Sequence, residues 1–324
     1  MDVKTNLDED AKKTPLPFQP EHIDAKYSTS YRFKCPGPGV FQCESTGMVF
    51  VMAQEAELKY KTVIWDDNIL QPAGKAPAGC LYKIECSEDA AVCQLHLPHC
   101  ETKEALLLDS GLSVVHMTDD GMSILEPLEI TDTHVVVKVP HLSAFGLVWD
   151  VVRRFLKDTL TVKGKILLFL RPMSQAKHVL YVFMLQANIP LHEVAVQQGR
   201  SQYIKMSSDC ELDFGERYSV HCPENTHIQP EVDQFHIKNG PNFHPTFEIF
   251  LATTTEKVTV TVATQESKEI WKRHVSMKEP RGEIPAEDSI PAVGSVPAEG
   301  SVPAVGSVPA EGSVPAKDSA PADK

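Results

Sequence analysis

Ser143 follows a strand-like segment and a turn, a position from which its hydroxyl can reach the preceding peptide bond. The segment THVVVKV (133–139) has the apolar character of a strand, and Pro140 and Gly146 favour a turn around HLSAF (141–145). Cutting an amide from within the chain requires a nucleophile, a base that takes its proton, and a bent backbone. Ser143 meets the first of these requirements.

The base for such a reaction must come from elsewhere, and 13 histidines are present. His116 lies in VVHMTDDGM (114–122), after apolar residues and before an acidic turn. A neutral imidazole with an ordinary pKa of about 6.5 accepts a serine proton near neutral pH. Asp120, four residues further on, is a candidate for orienting that imidazole. From position alone, a polar surface residue is the stronger interpretation of His116, because a histidine at the end of a strand usually has no catalytic role.

Short alternating segments between residues 27 and about 275 predict an all-β fold of antiparallel sandwiches. In KVTVTVA (257–263), strict alternation places the three valines on one face. The segment 143–160 has apolar residues at helical spacing, and we leave it as a helix or a strand buried on both faces. The other strand-like segments are YRFKC (31–35), MVFVM (48–52), ELKYKTVIW (57–65), LYKIEC (81–86), KILLFL (165–170), HVLYVFML (178–185) and TFEIFLA (246–252).

Both ends of the chain differ in composition from its middle. Residues 1–26 are polar and contain several prolines, which predicts disorder. From Glu283 a six-residue repeat of the type VPAEGS takes over, with proline at every sixth position. Proline blocks helix interiors and the small residues between leave little to bury, so a disordered Pro/Ala-rich tail is expected over 276–324.

Charge and hydropathy limit the partners and the compartment. The net charge of −13 argues against a nucleic-acid surface and against an anionic membrane. The N-terminus lacks an apolar stretch, so no secretory signal is expected. The longest apolar runs, ILLFL (166–170) and VLYVFML (179–185), are too short to span a bilayer. We therefore expect a cytoplasmic protein that binds neither nucleic acid nor membrane.

Eight cysteines are spread over the chain without any CxxC pair. In a chain without a signal peptide they are expected to be reduced, buried or half-buried thiols. A metal-binding module that combines the cysteines with His96 and His99 is an open alternative, although the spacing does not favour zinc. We therefore expect a protein without a metal site or a cofactor.

Several landmarks occur in an order that is similar to a known family. They are His116-Met117-Thr118-Asp119-Asp120-Gly121-Met122, the segment His141-Leu142-Ser143 that precedes AFGLVW, the strand LHLPHC (95–100) and the last strand IWKRHV (270–275). His116 and Ser143 are 27 residues apart. Over roughly residues 27–275 the chain resembles the function-to-find domain, FIIND, of inflammasome sensors with NACHT and leucine-rich repeats, and of their CARD-only relative.

The resemblance implies a ZU-type sandwich over 27–142 and a UPA sandwich over 143–275. It implies one self-cleavage between Leu142 and Ser143, with Ser143 as nucleophile, His116 as base and Asp120 as the supporting carboxylate. Such a chain performs a single intramolecular turnover and is not a turnover enzyme. The fragments are expected to stay associated and to regulate inflammasome-type innate immune signalling.

Two positions depart from the family pattern. Many members have Phe before the serine, and this chain has Leu142. Because the attacked atom is a backbone carbonyl, the resemblance predicts that cutting survives but is slower. The relatives carry Glu where this chain has Asp120, which is one methylene shorter.

The family also implies protein partners. UPA parts self-associate and deliver a C-terminal CARD, and cytosolic dipeptidyl peptidases restrain some members. Here no CARD sequence follows residue 275, so we expect a regulator, a decoy for CARD-bearing inflammasome sensors, or part of a larger gene product. The alternative is a non-cleaving protein-interaction scaffold of the same fold.

Overall fold

The computed structural model describes residues 14–25, 28–108, 111–157, 160–173, 177–237, 240 and 242–277, and these are mostly in β-strands. In chain order the described strands are β1 (Leu16–Phe18), β2 (Glu21–Ala25), β3 (Ser28–Cys35), β4 (Gly39–Cys43), β5 (Val49–Met52), β6 (Ala56–Val63), β7 (Lys75–Cys86), β8 (Val92–Pro98), β9 (Leu112–Thr118), β10 (Gly121–Leu125), β11 (Glu129–Ile130), β12 (His134–Lys138), β13 (Ala144–Asp150), β14 (Thr161–Pro172), β15 (Lys177–Gln186), β16 (Gln202–Ile204), β17 (Asp209–Asp213), β18 (Arg217–His221), β19 (His227–Gln229), β20 (Asp233–Gln234), β21 (Phe247–Ala252), β22 (Lys257–Thr264) and β23 (Glu269–Ser276).

Short helices lie between the strands in the described part of the chain. They are α1 (Asp67–Leu70), α2 (Lys103–Leu107), α3 (Val151–Leu156) and α4 (Leu191–Gln197), with 3₁₀ turns at Gln71–Ala73 and Asp89–Ala91. Side-chain oxygens of Asp66, Thr102 and Asp150 accept backbone N–H bonds at the starts of α1, α2 and α3. None of the described helices is long and apolar enough to cross a lipid bilayer.

The first sandwich contains two sheets built from the first thirteen strands. One sheet has the order β1-β4-β5-β8-β12-β11, and the other has the order β10-β9-β13-β7-β6-β3-β2. Apart from the parallel pair β1 and β4, neighbouring strands in both sheets run antiparallel.

The second sandwich follows, with a sheet ordered β16-β14-β15-β21-β19 and a four-stranded sheet ordered β20-β18-β22-β23. Strand β17 also pairs with β14. In β22 the valines Val258, Val260 and Val262 are all buried on one face, as the alternation predicts. The predicted all-β fold with two antiparallel sandwiches in tandem is confirmed.

Alternation also explains how the sheets build the core. Along β6, Ala56, Leu58 and Tyr60 are buried while Lys59 and Lys61 point outward, because successive side chains take opposite faces. One main apolar cluster contains buried side chains from both sandwiches. The two sandwiches therefore share one continuous core.

The N-terminal region differs from the expected disorder, because β1 and β2 fall inside residues 1–26. Phe18 is buried, and its ring stacks on Phe33 with centroids 3.8 Å apart. β1 pairs in parallel with β4, and β2 pairs with β3. The polar local composition concealed this anchoring because its partners are distant in sequence. Residues 1–13 of the segment predicted to be disordered lie outside the described residues.

The ambiguous segment 143–160 contains both kinds of element, first strand β13 and then helix α3. β13 pairs with β9 and β7 of the first sandwich, so residues 144–150 belong to that sandwich by their hydrogen bonds. The expected boundary between residues 142 and 143 therefore does not coincide with the change from the first sandwich to the second. The chain enters the second sandwich at β14. The tail expected over 276–324 lies outside the described residues from position 278 onward.

A smaller cluster covers the outer face of the β13 sheet, where Trp65 packs over Gly146. A Cβ atom at Gly146 would lie 2.5 Å from two ring carbons of Trp65. The ring cannot easily move away, because the Trp65 Nε1 donates to the Gly79 carbonyl at 2.9 Å. This close approach requires glycine at position 146.

We predict that Gly146→Ala lowers the free energy of unfolding by about 1–3 kcal/mol, because the added methyl overpacks the Trp65 contact. Urea unfolding in a Ser143→Ala background, where the chain stays continuous, measures the effect. Lys61→Ala on the exposed face of the same sheet is the control and should stay within about 0.5 kcal/mol of the parent. An unchanged unfolding midpoint for Gly146→Ala would contradict the packing described.

Candidate functional site

Ser143 stands immediately before β13, where the chain passes from an exposed turn into the interior of a sheet. Pro140 and His141 are exposed, and Leu142 is half-buried with its side chain against the main apolar cluster. The backbone N–H of Ile84 donates to the Ser143 carbonyl at 2.8 Å. The β13 to β7 ladder therefore extends to Ser143 and holds one side of the Leu142–Ser143 peptide bond.

The Ser143 hydroxyl is half-buried and donates a hydrogen bond to the carbonyl of Met117. Met117 belongs to β9 and pairs with Ala144, while its neighbour His116 pairs with Phe145. In an antiparallel ladder, Ser143 is therefore the diagonal neighbour of His116. Two residues far apart in sequence meet because β9 and β13 are adjacent strands.

His116 and Ser143 lie on the same, inward face of their sheet. On β9, Val114 contributes to the main cluster while Val115 contributes to the outer one, which places His116 inward by alternation. On β13, Phe145 contributes to the main cluster, and Ser143 precedes it by two residues. The strand register therefore places the serine and its candidate base on one face of the sheet.

The His116 ring is almost completely buried between two other rings. It stacks on Phe145 with centroids 4.5 Å apart and meets His141 edge-on at 4.4 Å. Burial lowers the pKa of the His116 imidazole below its usual value, and the positive charge of a protonated His141 lowers this pKa further. A hydrogen bond with the His141 backbone acts in the opposite direction. His116 is therefore a neutral imidazole at neutral pH.

One nitrogen of this neutral ring remains available. Among the described residues, no group forms a hydrogen bond with His116 Nε2, although the atom is buried. Because the Ser143 hydroxyl donates to the Met117 carbonyl, proton transfer to His116 requires the hydroxyl to turn away from this acceptor. Catalytic hydrogen bonds are often incomplete in resting structures, so this arrangement is compatible with the reaction.

Asp120 is not brought to His116. It lies on the exposed two-residue turn between β9 and β10, and within the described parts of the chain no ion pair or hydrogen bond joins it to the His116 ring. The titratable side chain that contacts the His116 ring is His141, for which the sequence predicts no role. In the sequence, only its position could have indicated this contact: His141 lies two residues before Ser143, in the segment that leads into β13, and β13 pairs with the strand of His116.

A metal site finds no support in the described regions, where no group of three or more His, Cys, Asp and Glu side chains is arranged to hold an ion. Both ring nitrogens of His99 are engaged: Nε2 lies 2.9 Å from the Thr131 carbonyl, and Nδ1 accepts from the Glu101 N–H at 3.1 Å. Burial is the main cause of the low pKa of His96, which is about 4, and the nearby His134 lowers it further. All eight cysteines are free thiols.

Comparison with known proteins gives relatives in two rodents. The chain is 23% identical over 268 residues to the NACHT, LRR and PYD domains-containing protein 1b allele 5 of Mus musculus, which covers 79% of this chain and 22% of that protein. It is 28% identical over 136 residues to protein 1a of the same name in Mus musculus, covering 40% of this chain and 11% of that protein. A Rattus norvegicus protein 1a, allele 1, is 27% identical over 135 residues, covering 40% and 11%. The chain spans about a fifth of the length of the first of these relatives.

Two family profiles match the sequence in tandem. The "Function to find" profile, FIIND, matches residues 24–155, and the UPA-FIIND domain profile matches residues 162–275. The gap between the matches contains the passage from α3 to β14, where the fold leaves the first sandwich. Because the two matches together cover most of the chain, this protein belongs to the FIIND family, with a FIIND domain followed by its UPA part.

Proposed function

We propose that this protein cuts its own backbone once, between Leu142 and Ser143, and acts in the regulation of inflammasome-type innate immune signalling. One observation carries the proposal: Ser143 and a neutral His116 lie on the same face of adjacent strands. Membership of the FIIND family and the similarity to NACHT, LRR and PYD domains-containing proteins support the signalling role.

In the proposed reaction, the Ser143 Oγ attacks the carbonyl carbon of Leu142 while His116 accepts the hydroxyl proton. The bond between the Leu142 carbonyl carbon and the Ser143 nitrogen breaks, the nitrogen takes a proton, and an ester forms. Water then hydrolyses the ester, leaving a carboxylate on Leu142 and an α-amine on Ser143. The turn at 119–120 would have to move for Asp120 to serve as the supporting carboxylate.

The fragments are proposed to remain associated after the cut. β13 would become the first strand of the C-terminal fragment, yet both its neighbours, β7 and β9, belong to the N-terminal fragment. Phe145, Leu147, Val148 and Trp149 are each buried almost completely. Burial of each such side chain contributes about 1.5–3 kcal/mol, so separation would expose a costly apolar surface.

The proposed setting is the cytoplasm, and the proposed partners are proteins. They are another UPA part in self-association, a cytosolic dipeptidyl peptidase, and a CARD-bearing inflammasome sensor. The family membership supports this choice, while the net charge of −13 does not favour nucleic acid.

A second candidate function is an uncut interaction scaffold of the same fold. The hydrogen bond from the Ser143 hydroxyl to Met117, and the exposed position of Asp120 on the turn between β9 and β10, favour this alternative. Whether the chain is cut decides between the two.

We predict that the purified parent chain runs as two bands on a denaturing gel, and that Ser143→Ala and His116→Gln each give a single band. Loss of the nucleophile or of the base removes the reaction, whereas the backbone pairing is retained. Ser123→Ala is the matched control, since the Ser123 hydroxyl donates to the His116 carbonyl at 3.4 Å. The Ser123→Ala chain should give the same two bands as the parent. A single intact band from the parent would favour the uncut scaffold.

The lowered pKa of His116 predicts the pH dependence of cutting. The base must be neutral, so the rate should stay constant as pH falls through about 6.5 and decline only below that value. His141→Ala removes the electrostatic effect of this histidine and exposes the ring, so the pKa of His116 rises and the decline begins at higher pH. Pulse-labelled chain from cell-free synthesis, chased at each pH, measures these rates.

His244→Ala changes an exposed histidine of the second sandwich and serves as the control, with an unchanged pH profile. The assignment of His116 as the base is contradicted if the parent's rate already declines above pH 6.5, or if His141→Ala leaves the midpoint in place.

A further inference from the structure

Glu101 is a fully buried carboxylate at the end of the first sandwich, three residues after β8. The Arg154 Nη1 lies 2.8 Å from its Oε1 and 2.9 Å from its Oε2. The Trp149 Nε1 also donates to Oε1. A buried charge is expensive unless it is paired and hydrogen-bonded, and this carboxylate has three such contacts.

Arg154 is equally enclosed, with only 4% of its surface exposed. Its guanidinium lies 4.3 Å from the centre of the Trp149 ring and 5.6 Å from that of Phe214. Its Nη2 also donates to the carbonyl of Thr161 at 3.4 Å. The cation is therefore bound by one carboxylate and packed against aromatic rings of both sandwiches.

The cluster is located where the two sandwiches join. Glu101 forms a backbone bridge with Val162, and the Lys163 N–H donates to the Cys100 carbonyl at 2.7 Å. Relative to the proposed cut, Glu101 lies on the N-terminal fragment, whereas Trp149, Arg154 and Phe214 lie on the C-terminal fragment. Every polar contact of Glu101 with these side chains therefore crosses from one fragment to the other.

We infer that the surface around Glu101 is the docking site for the C-terminal fragment, and that the Glu101–Arg154 ion pair controls how long that fragment stays bound. The inference rests on the proposed cut and adds the contact that retains the product. The segment from Trp149 to Arg154 supplies both the arginine that pairs with Glu101 and the tryptophan on which that arginine stacks.

Other polar contacts cross the cut, but they differ in kind. Buried Glu193 accepts from the hydroxyls of Tyr31 at 2.8 Å and Thr62 at 3.1 Å, which are neutral donors. The Lys75–Asp150 pair, at 3.2 Å, is partly exposed to water, which weakens ion pairs. The Glu101–Arg154 pair has both charges buried, so losing one member leaves the other uncompensated in the interior.

The test separates release of the fragment from self-cleavage. In a Ser143→Ala chain, a recognition sequence for a site-specific endoprotease is inserted between the exposed Pro140 and His141. The N-terminal end is immobilised through a tag, the endoprotease cuts the chain, and release of a C-terminal tag is followed over time. A parent that never cuts itself would defeat the proposed function but leave this measurement intact.

Arg154→Met should release the fragment about a hundredfold faster, because the Glu101 carboxylate stays buried without its cation. Arg154→Lys, which keeps the charge but loses the planar stacking group, should release it about tenfold faster. Adding Glu101→Gln to Arg154→Met should slow release again, since the unpaired charge is gone. Lys75→Gln is the control, with a rate within about threefold of the parent.

Thermal unfolding of each uncut chain shows whether the variant is folded. If Arg154→Met does not fold, Arg154→Lys decides, because it preserves the buried charge. Release of the Arg154→Lys fragment at the parent's rate would overturn the inference, and so would equal rates for Arg154→Met and its double variant.

Discussion

Strand β13 receives hydrogen bonds from β9 on one side and β7 on the other, and the candidate site depends on this placement. It sets Ser143 at the edge of a buried ladder, brings His116 opposite Phe145, and turns both polar side chains toward the interior. The same placement would let a single cut convert one polypeptide into two fragments that share a sheet. The reaction and part of the retention of its product would therefore depend on the same placement of β13.

Burial determines the chemistry of both polar clusters, the one around His116 and the one around Glu101. Around His116, removal from water lowers the pKa of the imidazole and leaves a neutral ring with an unpaired nitrogen among the described residues. Around Glu101, the same removal from water makes the Arg154 cation necessary. The first cluster is suited to accepting a proton, and the second is suited to holding two pieces of chain together.

Alternation of apolar residues predicts some of the strands, such as Lys257–Thr264, because the period of two is a local property. Pairing between distant segments was not predictable in the same way. The ring of Phe18 packs on Phe33, and β13 lies between β9 and β7. Neither contact can be predicted from the local composition of the segments. Likewise Asp120 is close to His116 in sequence but lies on an exposed turn, whereas the distant His141 contacts the ring.

The identity of the residue that begins the C-terminal fragment tests the central claim most directly. Intact mass spectrometry of the purified, denatured parent chain measures it without any substitution. The account predicts one fragment that ends at Leu142 and another that begins at Ser143. A single mass for the uncut chain, or a cut at any other bond, would contradict it.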